Sequence, residues 1–391
     1  MKPAIRICVA ASMLAGVALN AHADVITDWN IKAGEIVTEA KLGTPPAIRA
    51  MAIVQTAVHD AVIAVKPGAS IDAAVAAANR ATLTKLMPAQ QASIDAAYQA
   101  ALAQVSEGPA KAGGIAVGES AAAAVFAQRA NDKVAAVEAY RPHTTAGVYV
   151  PTAAPAAPQW AQRAPWLMTN PAQFRPGLPP ALTSVVWARE YNEVKELGSK
   201  GSTKRSAEQT ETARFWEYSL PQIYHGVVRS VAIQPGRDVA RNARLFAAVT
   251  QAMDDAIIGV FEAKYQYNFW RPATAIRNGD IDGNEATARD ASWLPFIDTP
   301  MHPEYPCAHC IVAASLAAVL QAEVGDGPMP TLTTTSPTAP GVVRSWTRVD
   351  DLVQEMSNAR IYDGVHYRTS TEVGAAMGKK IGELAATTLL R

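Results

Sequence analysis

The chain has 391 residues, of which 49% are hydrophobic, and its 35 basic residues balance its 35 acidic ones. A chain of this length buries a large core, as one large domain or two closely packed ones. The balanced charge gives no indication of a nucleic-acid partner, which would require a basic stripe, so any positively charged site must be local.

Residues 1–23 have the features of a secretory signal peptide. Lys2 and Arg6 precede an apolar stretch, residues 7–19, and Ala21-His22-Ala23 fits the small-residue pattern of a cleavage site. We predict a mature, secreted or periplasmic chain that starts at Asp24. Loss of the two cations lowers the basic count from 35 to 33 against 35 acidic residues, a net charge of about −2. No later segment has the uninterrupted apolar length of a membrane span, which is about 18 residues or more.

The composition predicts an all-α protein, a helical bundle. Residues 47–65 are expected to form a buried helix, and residues 72–140 are dense in alanine and other helix formers. Helix breaks are predicted at Pro88, Gly108-Pro109 and Gly113-Gly114. Further helices are predicted over residues 182–197, 206–216, 237–260, 260–276, 307–324, 350–361 and 372–390, the third and fourth of which form one helix or two.

The domain organisation is predicted from a change in residue composition along the chain. Residues 141–180 are rich in proline but also contain tryptophan and phenylalanine, so we expect an irregular connection packed over the surface. We therefore predict an N-terminal helical region over residues 24–180 and a catalytic helical bundle over residues 181–391, packed together as one compact unit.

Two cations lie in an aromatic stretch of the second half. Lys264 and Arg271 are seven residues apart and would share one face of a helix, which Pro272 would end or kink. Two surface cations would be the ordinary interpretation of such a pair. The aromatic flanks indicate burial, however, and a buried cation needs an anionic partner.

Two histidines occur in separate segments that follow. In His302-Pro-Glu-Tyr-Pro-Cys-Ala-His309-Cys310, His309 would sit in the first turn of a helix, where free N–H groups and the helix dipole favour an anion. In the second segment, Arg360 would end a helix and His366 would follow a turn at Gly364. Each segment alone also fits a structural role, as a helix cap or as a cation near a helix C-terminus.

The three segments together resemble the phosphatidic acid phosphatase type 2 / vanadium haloperoxidase superfamily. Its pattern is Lys-x6-Arg-Pro, then Pro-Ser-Gly-His, then Ser-Arg-x5-His-x3-Asp. The chain keeps the order and internal spacing, and the flanking residues resemble bacterial vanadium-haloperoxidase-type proteins more than lipid phosphatases. The matching positions are Lys264, Arg271 and Pro272, then Pro306 and His309, then Arg360 and His366.

The resemblance implies vanadate as cofactor, with phosphate as an alternative occupant. Lys264, Arg271 and Arg360 would hold the oxyanion together with the segment at Cys307 and Ala308. His309 would act as an acid/base, His366 would bond the vanadium, and Lys264 would also polarise the bound peroxide. The implied reaction is oxidation of a halide by hydrogen peroxide.

Four positions depart from the family pattern. Cys307 and Ala308 replace its Ser and Gly, Ala359 its Ser, and Ser370 its Asp. A thiol donates a weaker hydrogen bond than a hydroxyl does. His302 stands where chloroperoxidases of the family carry Phe and bromoperoxidases His, so bromide or iodide is expected rather than chloride.

The pair Cys307 and Cys310 allows other interpretations. A structural disulfide is favoured by an oxidising compartment, and a thiol–disulfide redox motif at a helix start is a second possibility. A zinc site with His302 and His309 fits no standard spacing. Two alternatives to the haloperoxidase also stay open: a soluble periplasmic acid phosphatase in which His366 forms a phosphohistidine, and a protein that binds an oxyanion without catalysis.

Overall fold

The computed structural model describes residues 24–391 and is predominantly helical, which confirms the prediction of an all-α bundle. The predicted signal peptide lies outside the described residues. Thirteen α-helices occur in the described part of the chain: α1 (Val25–Glu39), α2 (Thr44–Ala64), α3 (Ile71–Leu86), α4 (Gln91–Leu102), α5 (Pro109–Gln128), α6 (Val185–Leu197), α7 (Ala207–Glu217), α8 (Pro221–Ala232), α9 (Val239–Tyr267), α10 (Pro272–Arg277), α11 (Ala308–Val324), α12 (Val349–Tyr362) and α13 (Arg368–Leu389).

The central element is α9, whose 29 residues are buried over most of their length. Its buried residues are nearly consecutive and so lie on all sides of the helix, as expected of a core helix. Helix α9 packs against α2, α11 and α13. One cluster of buried apolar side chains runs from Ile26 to Ala385 and includes residues on either side of position 180. The boundary at residue 180 remains a prediction.

Helix α2 corresponds to the buried helix predicted over residues 47–65. Of the described helices, it is the one long and apolar enough to cross a membrane, and 72% of its apolar window is buried inside the protein. Its contacts with α9 and α3 place it in the core of the bundle.

The predicted break at Gly113-Gly114 is wrong, because α5 continues through both residues. These glycines permit close packing rather than a turn. A Cβ atom at Gly114 would lie 2.2 Å from the carbonyl oxygen of Ser70, and one at Gly118 would lie 2.2 Å from that of Ala74. Small residues at these positions let α5 approach the backbone of α3.

Within residues 24–391, one small β-hairpin interrupts the helical architecture. Strands β1 (Leu332–Thr335) and β2 (Val343–Trp346) pair antiparallel, with Leu332 opposite Trp346. They lie in the connection between α11 and α12. The hydroxyl of Thr334 donates a hydrogen bond of 2.8 Å to the carbonyl of Ile223, which attaches the hairpin to α8.

The proline-rich connection is fixed by buried ion pairs. The Arg163 guanidinium is fully buried and donates to Asp254 at 2.7 Å and to Asp132 at 3.2 Å. The carboxylate of Asp255 accepts hydrogen bonds from three consecutive backbone N–H groups, those of residues 166–168. As expected, this irregular segment is packed against the bundle.

Candidate oxyanion site

Lys264 and Arg271 converge on one loop, but not from one helix, so that prediction is wrong. Helix α9 ends at Tyr267, where Asn268 takes a left-handed conformation with φ of 51° and its N–H bonds to the carbonyl of Lys264 at 2.8 Å. Arg271 has an extended backbone and precedes α10, because a residue before proline disfavours helical geometry.

The loop that these cations contact is the one before α11. The Lys264 ammonium donates to the carbonyls of Pro303 at 2.9 Å and Glu304 at 2.8 Å. The Arg271 guanidinium donates to the His302 carbonyl at 2.9 Å, and a second nitrogen lies 2.9 Å from His302 Nδ1. Both cations are fully buried.

Helix α11 starts as predicted, with Cys307 as its N-cap and His309 in its first turn. The first N–H groups of a helix have no partner within it and carry a partial positive charge. Among the described residues, His309 Nε2 is a buried nitrogen without a hydrogen-bond partner. This helix start therefore supplies both donors and a titratable imidazole.

The third segment also folds as predicted, because Arg360 lies in the last turn of α12 and His366 in the loop before α13. The turn between them contains Gly364 at φ of 77°, and a Cβ atom there would lie 2.3 Å from the carbonyl oxygen of Gly198. Glycine therefore allows this turn to pack against the end of α6.

A cavity of about 390 Å³ brings the predicted residues together. Its wall includes His302, Ala308, His309, Arg360 and His366. Lys264, Arg271 and Cys307 are fully buried and do not line the cavity. Arg271 reaches close to the cavity, since its Nη1 lies 3.3 Å from His366 Nε2.

The electrostatics of this region favour an anion. Burial, and next the neighbouring guanidinium of Arg271, lowers the pKa of Lys264 well below its ordinary value. Burial and the same guanidinium lower the pKa of His366, whereas burial and Arg360 lower that of His309. A bound anion would offset this repulsion because an opposite charge stabilises the protonated forms.

His366 is oriented by a carboxylate. Its Nδ1 lies 2.7 Å from Oε1 of Glu304, which also accepts a hydrogen bond of 3.1 Å from the Tyr367 N–H. Burial raises the pKa of Glu304 to about 7, although Lys264 and Arg271 oppose that rise. The other imidazole nitrogen of His366, Nε2, is the one that lies near Arg271.

Arg360 forms a buried ion pair with Asp363. One guanidinium nitrogen donates to the Asp363 carboxylate at 2.7 Å and to the Trp216 carbonyl at 3.1 Å. Its Nε is buried without a partner in the described chain. Burial raises the pKa of Asp363 to about 7 in spite of the adjacent Arg360.

The possible disulfide between Cys307 and Cys310 is not formed in the structure, which contains both as free, buried thiols. The Cys307 sulfur instead accepts the Cys310 N–H at 3.3 Å and caps α11. The zinc alternative gains no support, since no group of three or more potential metal ligands occurs in the described residues.

Glu304 and Asp363 were given no role in the sequence analysis, although both contact site residues. Asp363 has a local signal, because it lies three residues after an arginine at a helix end. Glu304 is an acidic residue inside an apolar segment, but its partner His366 lies 62 positions away. No helical or strand period relates those two positions.

Part of the chain is similar in sequence to known proteins. Residues 244–391 match the family model of the vanadium chloroperoxidase (VCPO) second helical-bundle domain. The vanadium chloroperoxidase of Curvularia inaequalis is 33% identical over 132 residues, which are 28% of this chain. That match spans only 21% of the length of the relative.

Solved structures of bacterial proteins share the fold over most of the chain. The first bacterial vanadium-dependent iodoperoxidase has a TM-score of 0.81 at 22% identity, over 94% of this chain and 96% of that one. A bacterial vanadium-dependent chloroperoxidase has a TM-score of 0.70 in its apo form, at 16% identity over 88% and 92%. Its holo form gives 0.69 at 16% identity over 90% and 93%.

These similarities confirm the resemblance predicted from the three motifs. The chain has the helical fold of the vanadium haloperoxidases. Its C-terminal part, residues 244–391, is similar to the VCPO second helical-bundle domain.

Proposed function

We propose that this protein is an exported, vanadate-dependent enzyme of the haloperoxidase type, which oxidises bromide or iodide with hydrogen peroxide. The observation that carries the proposal is the convergence of His309, Arg360 and His366 on one cavity. The buried Arg271 contacts His366, and the buried Lys264 contacts the loop before α11. The proteins named above that share the fold support the same activity.

The donor set fits a tetrahedral oxyanion. Arg360 lies in the cavity wall and Arg271 contacts the wall residue His366, while one nitrogen each of His309 and Arg360 is buried without a partner in the described chain. Preorganised cations and N–H dipoles in a site with little water stabilise negative charge more strongly than they do in bulk water. The excess of buried positive charge therefore supports vanadate, or phosphate of similar shape, as the occupant.

Each side chain has a proposed role. His366 Nε2 would bond the vanadium, and Lys264, Arg271 and Arg360 would neutralise the oxyanion. The N–H groups at the start of α11, beside Cys307 and Ala308, add donors, and His309 moves protons at its Nε2. When bound, vanadate supplies a Lewis acid that activates hydrogen peroxide towards a halide.

Bromide or iodide is proposed as the halide because His302 forms part of the cavity wall. Its ring packs 5.2 Å from that of Phe261 and contacts Arg271. A polar imidazole in this position replaces the phenyl ring expected of a chloroperoxidase. Bromide and iodide are also easier to oxidise than chloride.

Export is a separate part of the proposal and rests on residues 1–23. N-terminal sequencing of the protein recovered from the periplasm or medium tests it. A mature chain that begins at Asp24 supports the proposal, and an uncleaved chain retained in the cytoplasm contradicts it.

The activity is tested by peroxide-dependent halogenation of a dye by the purified protein. The assay runs with bromide, iodide or chloride, each with and without added vanadate. We expect vanadate-dependent turnover with bromide or iodide. A parallel assay with p-nitrophenyl phosphate tests the phosphatase alternative: phosphate release that vanadate inhibits, without halide oxidation, would overturn the haloperoxidase proposal. Absence of turnover in both assays would support a protein that only binds the oxyanion.

A further inference from the structure

Glu304 links two of the three motifs through separate parts of one residue. Its backbone carbonyl accepts from the Lys264 ammonium at 2.8 Å. Its carboxylate oxygen Oε1 lies 2.7 Å from Nδ1 of His366. The side chain is fully buried, and its Oε2 is without a partner among the described residues. A buried carboxylate is costly unless its hydrogen bonds compensate, so this placement needs an explanation.

The contacts around His366 agree on one protonation state of the ring. Oε1 of Glu304 accepts the Tyr367 N–H at 3.1 Å, which identifies that oxygen as an acceptor. On the other side of the ring, Nε2 lies 3.3 Å from a guanidinium nitrogen of Arg271, which can only donate a hydrogen bond. Both contacts require the proton on Nδ1 and a lone pair on Nε2.

The helix that follows His366 does not supply this carboxylate. The residue four positions on is Ser370, whose hydroxyl lies 3.3 Å from Nδ1. A hydroxyl donates as readily as it accepts, so Ser370 does not fix the proton position. The only carboxylate in contact with the ring in the described chain comes from the loop before α11.

We propose that Glu304 is the positioning residue of this site: it holds the His366 proton on Nδ1 and so keeps a lone pair on Nε2, which contacts Arg271 in the structure and would bind the oxyanion in its place. A histidine that binds a metal commonly donates its other N–H to a carboxylate, which fixes the ring and raises its basicity. The role of Glu304 in fixing the Nδ1 proton is independent of the proposed function. Only the statement that the group bound by Nε2 is vanadate rests on that function.

The proposal is tested with four variants. Glu304→Met keeps most of the side-chain volume but removes the acceptor, and Glu304→Gln keeps a neutral acceptor. The double variant E304M/S370D returns a carboxylate to the ring from α13. Glu190→Gln is the matched control, because Glu190 is buried and holds the start of α13 through Thr369 without contacting His366.

The first measurement is NMR of the histidine side chains in the vanadate-free protein, with the His366 signals assigned by their loss in H366A. We expect a downfield, slowly exchanging Nδ1 proton in the wild type, in E304Q and in E190Q. In E304M that proton should move upfield or disappear by exchange, and in E304M/S370D it should return. An unchanged signal in E304M, or the same change in E190Q, would overturn the proposal.

The second measurement is the dissociation constant for vanadate. Loss of such an outer partner typically weakens metal binding about 10- to 100-fold. We expect that loss in E304M, a smaller one in E304Q, and recovery in E304M/S370D. If the Nδ1 proton depends on Glu304 but the wild type binds no vanadate, the positioning role stands and the proposed function fails. If E304M does not fold, the comparison of E304Q with E190Q decides: equal vanadate affinity in those two would overturn the proposal, and selective weakening in E304Q would support it.

Discussion

The backbone N–H of Cys310 donates a hydrogen bond to the sulfur of Cys307 at 3.3 Å, so a thiol caps the helix at which the oxyanion is expected to bind. The residues usually preferred at this position carry an oxygen acceptor. Burial raises the pKa of Cys307, but the hydrogen bonding with Cys310 and the charge of Arg360 outweigh that effect and lower it to about 7. The helix start proposed as the anion site therefore also carries a thiol whose lowered pKa favours the thiolate, the form that is oxidised.

Replacement of Cys307 by serine should tighten oxyanion binding. A hydroxyl is a stronger donor and acceptor than a thiol, and one better hydrogen bond contributes about 0.5–1.5 kcal/mol. We expect the affinity for vanadate to rise about two- to tenfold, as measured by isothermal titration. C310S is the control and should bind as the wild type does. Unchanged or weaker binding by C307S would show that this side chain does not face the anion.

Oxidation of the two thiols should weaken the site. A disulfide between Cys307 and Cys310 would remove the S–H donor and the sulfur cap of α11. We expect a mild thiol oxidant to lower the vanadate affinity and a reductant to restore it. C310S should not respond to either treatment, because it cannot form the bond. Equal affinity of the oxidised and reduced wild-type protein would contradict this prediction.

The effects of replacing Arg360 and Asp363 on the free energy of unfolding should depend strongly on each other. Both side chains are fully buried and 2.7 Å apart, so R360M leaves an uncompensated carboxylate in the core. Breaking one side of such a pair costs about 3–5 kcal/mol in the free energy of unfolding. Urea denaturation should show this loss in R360M and recovery of most of it in R360M/D363N.

The same two variants distinguish the effect on stability from the effect on vanadate binding. The double variant should remain deficient in vanadate binding, because its third cation is still missing. A double variant as unstable as R360M would disprove the coupling between the two residues.

His225 should make the fold sensitive to acid. It is buried in α8, its Nδ1 accepts from the Asn30 amide at 3.0 Å, and Arg229 fixes that amide through its oxygen. Burial, and next the charge of Arg229, lowers the pKa of His225 to about 3. In the unfolded chain it is about 6.5. Its contribution is therefore fully present above pH 6.5 and is lost as the pH falls towards 3, because only the unfolded state takes up the proton.

Between pH 7 and pH 5 this group should lower the free energy of unfolding by about 2 kcal/mol. The variant H225L should lose that part of the pH dependence, which urea titrations at both values measure. Its stability at pH 7 differs by a constant offset that does not affect the comparison. An identical pH dependence in wild type and H225L would show that His225 titrates normally in the folded state.

Local pattern was sufficient to predict part of the site from the sequence. The proline and small residues before α11 placed His309 in a first turn, and the spacing from Arg360 to His366 fitted a helix end and a glycine turn. The geometry of Lys264 and Arg271 was not predictable in the same way. It depends on Asn268, which adopts a left-handed conformation that the heptad spacing of the cations does not reveal.

Other features depend on contacts between distant segments. Gly113 and Gly114 resemble a helix break in the sequence, and only the packing of α5 on α3 explains them as helix residues. The hairpin β1–β2 is similar, because its position depends on the packing of β1 against α8 and not on an alternating sequence pattern. Overall helical composition was a reliable guide to the fold class, whereas partners across the fold required the structure.

Equilibrium binding of vanadate to the wild type, H366A and H59A, followed by vanadium NMR, tests the central claim most directly. His59 lies near the end of α2 and is not part of the cavity wall, so H59A controls for the loss of a histidine elsewhere. We predict one tightly bound vanadate per chain in the wild type and in H59A, and loss of that tight binding in H366A. Tight binding retained in H366A would contradict the assignment of His366 Nε2 as the group that bonds the vanadium.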